Sequence, residues 1–401
     1  MKNIFVYIQY TLLIYILLFG SQIHIGPLSL RNLLSFFLLA YIVLKQKHVY
    51  IDKPVFIYIL FLIVYLICNV INGDFFTIDF LRSFLGNHLV SLLTVWVIMI
   101  LVKGKEQLIR IIKVIFVIYI INIILSIFQF YNSGWAWMLA VALSDHALNH
   151  VSNSSAFIDS GESALNRSIV MGITGFVVTN GYFISVFCSV AAYKIFDSKI
   201  KNILLGILLL LLALYGAYVT QQRMALLSVL LVIFVFTNLK LKWKSIFFYI
   251  VLIFFFIFYL SEMEVDLGRL SSETDNGDRL KLFSSFGSFI ESPSLVLFGG
   301  LTQYLQHYGG VVQHNVILGS WVIGGILSML LIVVLLLLTS FDSLKILIRY
   351  SKKTNYYPII FAISCLSFNL YSMTHSMGLH TGEPFFWLSY ALMIKSMYLK
   401  T

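Results

Sequence analysis

The chain has 401 residues, of which 60% are hydrophobic and only 11% charged. Soluble globular chains carry about a quarter charged residues, so this composition excludes an ordinary soluble domain. The net charge of +10 does not argue for nucleic acid, because the basic residues sort by predicted membrane side.

The apolar runs suit helices that cross a bilayer, which takes about 20 residues each. In chain order they predict helices near 4–20, 28–44, 54–72, 81–102, 112–131, 168–196, 203–220, 224–239, 245–261, 315–340, 357–374 and 384–399. The expected fold is an all-α polytopic membrane protein with about 12 transmembrane helices. It forms a single transmembrane domain over residues 1–401. The first run follows Lys2 and precedes "SQIHIGP" rather than a small-residue cleavage site, so it reads as a span and not as a signal peptide. The sixth contains Gly172, Gly175, Asn180 and Gly181. It is expected to begin as irregular backbone and to become regular near Tyr182. Irregular backbone is tolerated at membrane depth only where protein or a wet cavity satisfies it.

Two outer loops, about 132–167 and 261–314, are too long to be simple connections. In the first, "WAWMLAVAL" predicts an interfacial helix. In the second, Leu280, Leu282, Phe283, Phe286, Phe289 and Ile290 have the spacing of an amphipathic helix that Pro293 ends. The "FGG" and "YGG" that follow predict tight turns. Cys68, Cys188 and Cys365 lie far apart in apolar runs, without the spacing of a disulfide framework or a zinc site.

With the N-terminus inside, twenty of the 27 basic residues fall in inner loops, and all but Arg110 and Arg349 are lysine. This obeys the positive-inside rule and places both termini in the cytoplasm. The outer set is Arg31, Arg82, Arg167, Arg223, Arg269, Arg279 and Lys281. Arginine presents a planar fork suited to phosphate or carboxylate, whereas lysine is a point charge. The outer arginines therefore suggest anion contacts, although any one of them could simply pair with an outer acid. Every histidine except His48 is also on the outer side.

Arg223 stands in a hairpin of few polar residues beside Gln221 and Gln222, either snorkelling to headgroups or held at the rim of a cavity. Arg82, Asn87 and His88, at i, i+5 and i+6, are expected near one face of a predicted helix, and ionisable groups within a span are functional by default. His375, His380 and Glu383 either line an acceptor route or are ordinary loop residues. Asp145, His146 and His150 lack a third partner at a metal-like spacing, so no metal is expected. His314 and Asn315 open the apolar run from Val316, and Asn315 could cap its helix.

Three pieces occur in order: an arginine opening "QQRMALLSVLL", an outer "R…SP…FGG" stretch from Arg279 to Gly300, and "HNVILGSWVIGGIL" entering the next span. With "GITGFVVTNGYFISV" upstream, this arrangement over roughly residues 167–340 resembles the O-antigen polymerase and O-antigen ligase superfamily of bacterial surface-polysaccharide assembly. Gln222 stands where the family has serine, Asn180 where it has proline, and Gly172 where it often has arginine. Arg167 is a possible substitute for that arginine.

The resemblance implies a GT-C-type glycosyltransferase of the bacterial inner membrane, acting at the periplasmic face on undecaprenyl-diphosphate-linked oligosaccharides. It implies no cofactor, no metal and no nucleic acid, and allows a chain-length regulator protein as a partner. By matching motif positions, Arg223 and Arg279 would bind the diphosphate and His314 would activate or orient the acceptor hydroxyl. Arg82, Arg167, Gln222, His88, Asn315 and His375 are further candidates for substrate binding. A polymerase, whose acceptor is another lipid-linked unit, is preferred to a ligase, whose acceptor is the lipid A core. A transporter or flippase is the alternative of another class. The gathering of polar residues at one face and the lack of an internal repeat count against it.

Overall fold

The structure is a computed structural model that describes residues 2–26, 28–45, 49–131, 133–143, 170–196, 200–242, 289–290, 292–307, 315–351, 356–375 and 377–399. The chain is an all-α membrane-embedded protein. Among the described residues, six helices are long and apolar enough to cross a membrane: Lys53–Ile71, Ile78–Leu101, Lys105–Phe130, Ile200–Val219, Arg223–Lys240 and Val316–Tyr350. Shorter apolar helices cover Val6–Phe19, Leu30–Leu44, Gly134–Leu143 and Tyr357–Ser372. The expected span 245–261, most of both long loops and the "YGG" turn lie outside the described residues.

The contacts divide the chain into two compact units. The first comprises Met1–Ile115, Glu273–Tyr350 and Tyr357–Thr401. It begins with α1 (Lys2–Phe19), and a two-residue hairpin, His24–Ile25 against Leu28–Ser29, then leads into α2 (Leu30–Lys45). The periodicity did not reveal this hairpin, because two residues per strand are too few to show alternation. Its effect is local: with Leu30 N bonded to Ile23 O and Arg31 N to Gly20 O, it fixes where α2 starts.

Helix α3 (Lys53–Ile71) is capped by Asp52, whose Oδ1 accepts from Val55 N at 3.0 Å, with Pro54 in its first turn. Helix α4 (Ile78–Leu101) contains a π-helical turn at Phe84–Leu89. Single π turns inside α-helices often occur at functional sites. Helix α5 (Lys105–Phe130) begins in the first unit and ends in the second. In the second unit, α6 (Gly134–Leu143) forms from the predicted "WAWMLAVAL" segment and buries Ala136 and Ala140.

Helix α7 (Val177–Ala192) is the centre of the second unit, with α8 (Ile200–Val219) and α9 (Arg223–Leu241) packed on it. It is mostly apolar and buried throughout Thr179–Ala192, as expected of a helix with no solvent face. The backbone before it is irregular, as the sequence predicts, with Gly172 at φ 56° and Gly175 at φ 72°. The helix starts at Val177, five residues ahead of the expected Tyr182.

Three amide side chains satisfy that irregular stretch. Gln129 Oε1 accepts from Met171 N at 3.1 Å and Gly172 N at 2.9 Å, while its Nε2 donates to Gly172 O at 3.1 Å. Asn122 Oδ1 accepts from Ile173 N at 2.9 Å. Asn180 Nδ2 donates to Val170 O at 3.1 Å, and Asn122 Nδ2 donates to Asn180 Oδ1 at 2.8 Å. Each bond to the backbone saves a buried group from being left unpaired, a cost of about 1–3 kcal/mol. This gives Asn180 a structural role where the resembled family has proline.

Pro293 opens a short helix, α10 (Pro293–Phe298), rather than merely ending the preceding one. Proline suits a first helical turn because the N–H it lacks there would have no partner. The "FGG" turn forms as expected, with Gly299 at φ 69° and Gly300 at φ 145°, before α11 (Leu301–His307).

The next helix, α12 (Val316–Tyr350), is longer than the predicted 315–340 and is interrupted at Gly324 (φ −151°) and Gly325 (φ 72°). The two glycine pairs meet. Gly300 N donates to Val322 O at 2.8 Å, and a Cβ on Gly299 would stand 2.7 Å from the amide nitrogens of Gly324 and Gly325. Trp321 Nε1 donates to Val296 O at 3.0 Å, and Asn72 Nδ2 to Phe298 O at 3.2 Å, which holds α10 in place. Helix α12 packs on α3 and on α13 (Tyr357–Ser372); α13 packs on α14 (Pro384–Tyr398), and α14 on α4.

Candidate functional site

In the first unit, ionisable side chains from four separate segments gather in the protein interior. Arg31, in the first turn of α2, is 4% exposed. Its Nη1 donates to Asn87 Oδ1 at 3.1 Å and its Nη2 to Leu18 O at 2.5 Å. Asn87 and His88 belong to the π turn of α4, and His88 is 1% exposed. Glycine makes the close approach possible: a Cβ on Gly86 would collide with the Asn32 side chain.

His88 sits among rings, with the Tyr65 centroid at 4.7 Å and the Phe61 centroid at 6.1 Å. Its Nδ1 lies 3.4 Å from the Tyr58 hydroxyl. The Tyr58 ring in turn stands 4.5 Å from that of Trp387 on α14.

The fourth segment is the 3₁₀ turn Leu379–Thr381, which places His380, and Glu383 at the N-cap of α14. Thr381 holds the turn by accepting from Gly378 N at 3.0 Å and donating to Gly378 O at 2.9 Å. Gly382 has φ 72°, and a Cβ there would stand 2.7 Å from the His88 amide nitrogen, so the turn lies directly on the π turn. A Cβ on Gly319 of α12 would collide with the His380 ring. His380 is 1% and Glu383 5% exposed.

Burial raises the Glu383 carboxyl from its ordinary 4.5 to about 7, with the Arg31 guanidinium pulling the other way. Burial also pushes His380 down from 6.5 to about 3, so it is neutral at physiological pH. Arg31 Nε, His380 Nδ1 and Glu383 Oε2 are buried without a hydrogen-bond partner among the described residues. Buried polar atoms of native proteins are normally paired, so such a group of orphans points to a polar molecule that completes them. Chemically, the arrangement offers a cation, a carboxyl that exchanges its proton near neutrality, two imidazoles and aromatic faces.

The other candidates are distributed as follows. Asn315 is the cap the sequence suggested: its Oδ1 accepts from Ile317 N at 2.8 Å and Leu318 N at 3.2 Å. Its Nδ2 also donates to Met373 O at 2.8 Å, which ties the start of α12 to the segment carrying His375. The His375 ring stacks on Tyr371 at 4.3 Å. Arg82 pairs with Asp79 at 3.3 Å on an exposed part of α4. Arg223 is exposed at the first position of α9, in the second unit. Gln222 before it is 8% exposed and donates through Nε2 to Val177 O at 2.7 Å. The turn is tight, with Gln221 at φ 54°, a left-handed conformation uncommon outside glycine. His314, Arg279 and Arg167 lie outside the described residues.

No family model, curated protein or solved structure matches the chain. The functional reading therefore rests on the residues themselves. Sequence reasoning named Arg31 among the outer arginines but did not place it in a site, and it missed Tyr58 and Trp387 altogether. The available signal was that Arg31 and Glu383 each border an apolar run, where a charge needs a partner. Among the described residues, no group of three His, Cys, Asp or Glu side chains is arranged to hold a metal ion.

Proposed function

We propose that the chain is a membrane glycosyltransferase of the O-antigen polymerase type, with about 12 spans in a GT-C-type architecture, in the bacterial inner membrane with both termini cytoplasmic. It transfers glycan from an undecaprenyl-diphosphate-linked donor to a sugar hydroxyl of a second lipid-linked unit at the periplasmic face. A chain-length regulator is a further partner. Arg223 and Arg279 bind the diphosphate and oppose the charge that develops as it leaves. His314 orients the acceptor hydroxyl, and Glu383 takes its proton as the new glycosidic bond forms. Transfer to the lipid A core is the ligase variant of the same chemistry.

The observation that carries the reading is the burial of Arg31 and Glu383 with His88 and His380, at the ends of helices that the lysine distribution assigns to the outer face. Charges are costly inside a membrane protein and mark function by default. A carboxyl near neutrality suits a general base, whose ideal value lies close to the working pH.

A transporter has one observation in its favour, the interruption of α12 at Gly324–Gly325, since interrupted helices often carry transporter binding sites. Here the break is packed by the backbone of Leu297–Gly299 and bonded to Cys68 Sγ at 3.2 Å, which leaves little polar lining for an ion.

Deletion of the gene in its host separates these readings through the surface-polysaccharide ladder. Polymerase loss leaves the core bearing a single repeat. Ligase loss leaves bare core with lipid-linked polymer accumulating. An unchanged ladder together with unchanged capsule would rule out both.

A further inference from the structure

The first unit contains a second polar feature among the lysine-rich helix ends. A cavity of about 560 Å³ is walled by Tyr41 of α2, Tyr50, Trp96 of α4 and Tyr398 of α14, with Lys103 and Lys395 on its lining. This volume lies within the range of small-molecule sites, and the lining mixes ring and aliphatic surface with tyrosine hydroxyls and two ammonium groups. Nothing in the proposed transfer reaction uses it.

The wall is held in place by specific bonds. Trp96 Nε1 donates to Tyr50 O at 2.9 Å, and Lys395 Nζ donates to Met99 O at 2.9 Å, near the carbonyl end of α4. Of the nearby acids, Asp52 already receives the hydroxyls of Tyr50 at 3.0 Å and Tyr390 at 2.5 Å, as well as the Val55 amide, and Asp342 lies close enough to Tyr50 to act on it electrostatically. Lys103 is exposed. The cavity therefore offers two ammonium groups to an anion.

One side of the cavity leads onto lipid-facing surface. Tyr41 is 45% exposed, and Phe37 and Leu44, four residues before and three after, are 73% and 80% exposed. That spacing puts all three on one face of α2, a ready bed for an acyl chain. A free phosphate would use the lysines but not the rings or this apolar face.

We infer that this cavity binds the headgroup of an anionic glycerophospholipid, with the phosphate between Lys103 and Lys395 and an acyl chain along the Phe37–Tyr41–Leu44 face of α2. Basic pockets between transmembrane helices on the cytoplasmic side recognise lipid headgroups in this way.

The test uses the full chain in nanodiscs of phosphatidylcholine containing phosphatidylglycerol. Native mass spectrometry after transfer to detergent reads which lipid stays bound. Wild type is expected to retain phosphatidylglycerol, and K103Q/K395Q to lose about 30-fold in affinity, from a factor of about five per lysine near the surface. V49W, which fills the cavity from its exposed rim and keeps both lysines, should lose the lipid too. An unchanged melting temperature in pure phosphatidylcholine shows that both variants fold. Retention equal in wild type and K103Q/K395Q would overturn the proposal. So would inorganic phosphate binding alone with the same lysine dependence and displacing the lipid, since that result belongs to a free-anion site.

Discussion

The Arg31 guanidinium donates to the Asn87 side-chain oxygen at 3.1 Å, joining the first turn of α2 to the π turn of α4. The bond also fixes the cation beside Glu383, whose carboxyl responds to the Arg31 charge. A buried cation and a buried acid thus face one another at the N-terminal ends of α2 and α14.

Arg31→Ala should destabilise the protein by about 1–3 kcal/mol, because Asn87 Oδ1 and Leu18 O lose a buried donor and Glu383 loses a nearby positive charge. Adding Glu383→Gln should restore part of that loss, since a glutamine needs no cation. The four members of the cycle are compared by denaturant unfolding in micelles, and the coupling energy is read directly. Strict additivity would show that the two groups do not interact.

The pH dependence of stability follows from the sign of each shift. Glu383 holds its proton more tightly folded than unfolded, so its contribution falls as pH rises from about 4.5 to about 7. His380 is depressed, so it contributes stability above about 6.5 that is lost as pH falls towards about 3. The two partly cancel between pH 4.5 and 6.5. Glu383→Gln should therefore gain on wild type across pH 4.5–7, by about 3 kcal/mol in total at about 1.4 kcal/mol per pKa unit. Melting temperatures measured in parallel over that range check it; a constant difference would contradict the assigned burial.

Asn315→Ala should cost about 1 kcal/mol through loss of the helix cap, and Asn315→Ser, which can still cap, should cost less. Both are read as shifts in melting temperature. His314→Ala should leave stability unchanged and lower product yield, which separates the two halves of the pair.

Gly325→Ala should be among the most damaging single changes in the first unit. Gly325 has φ 72°, and a Cβ would stand 2.8 Å from the Phe298 amide nitrogen. Overpacking of this kind typically costs about 1–3 kcal/mol, with backbone strain in addition. Expression level and melting temperature report the loss, and a neutral outcome would mean that the α10–α12 contact can relax.

The membrane-embedded helical fold was legible in the sequence because long, mostly apolar runs leave few alternatives. So was the irregular start of the 168–196 segment, since Gly172 and Gly175 signal positive φ. The hairpin at His24–Ser29, the π turn and the α12 interruption were not legible. The hairpin is too short to show alternation, and the π turn and the α12 interruption are packed by distant segments, Gly382 on His88 and Gly299 on Gly325. The site was half legible: His88, His380 and Glu383 were visible as polar residues near apolar runs, but only folding brings them to Arg31. Asn315 was read correctly as a cap because capping is a local property. Spacing alone did not reveal that Arg82 pairs with Asp79 on the surface of α4.

The central claim is best tested with the purified chain in liposomes, supplied with the host's undecaprenyl-diphosphate-linked repeat unit. The account predicts glycan longer than one repeat, one undecaprenyl diphosphate released per bond formed, and loss of both in Glu383→Gln and Arg223→Ala. Wild-type protein that moves the lipid-linked unit across the bilayer while forming no new glycosidic bond would contradict it.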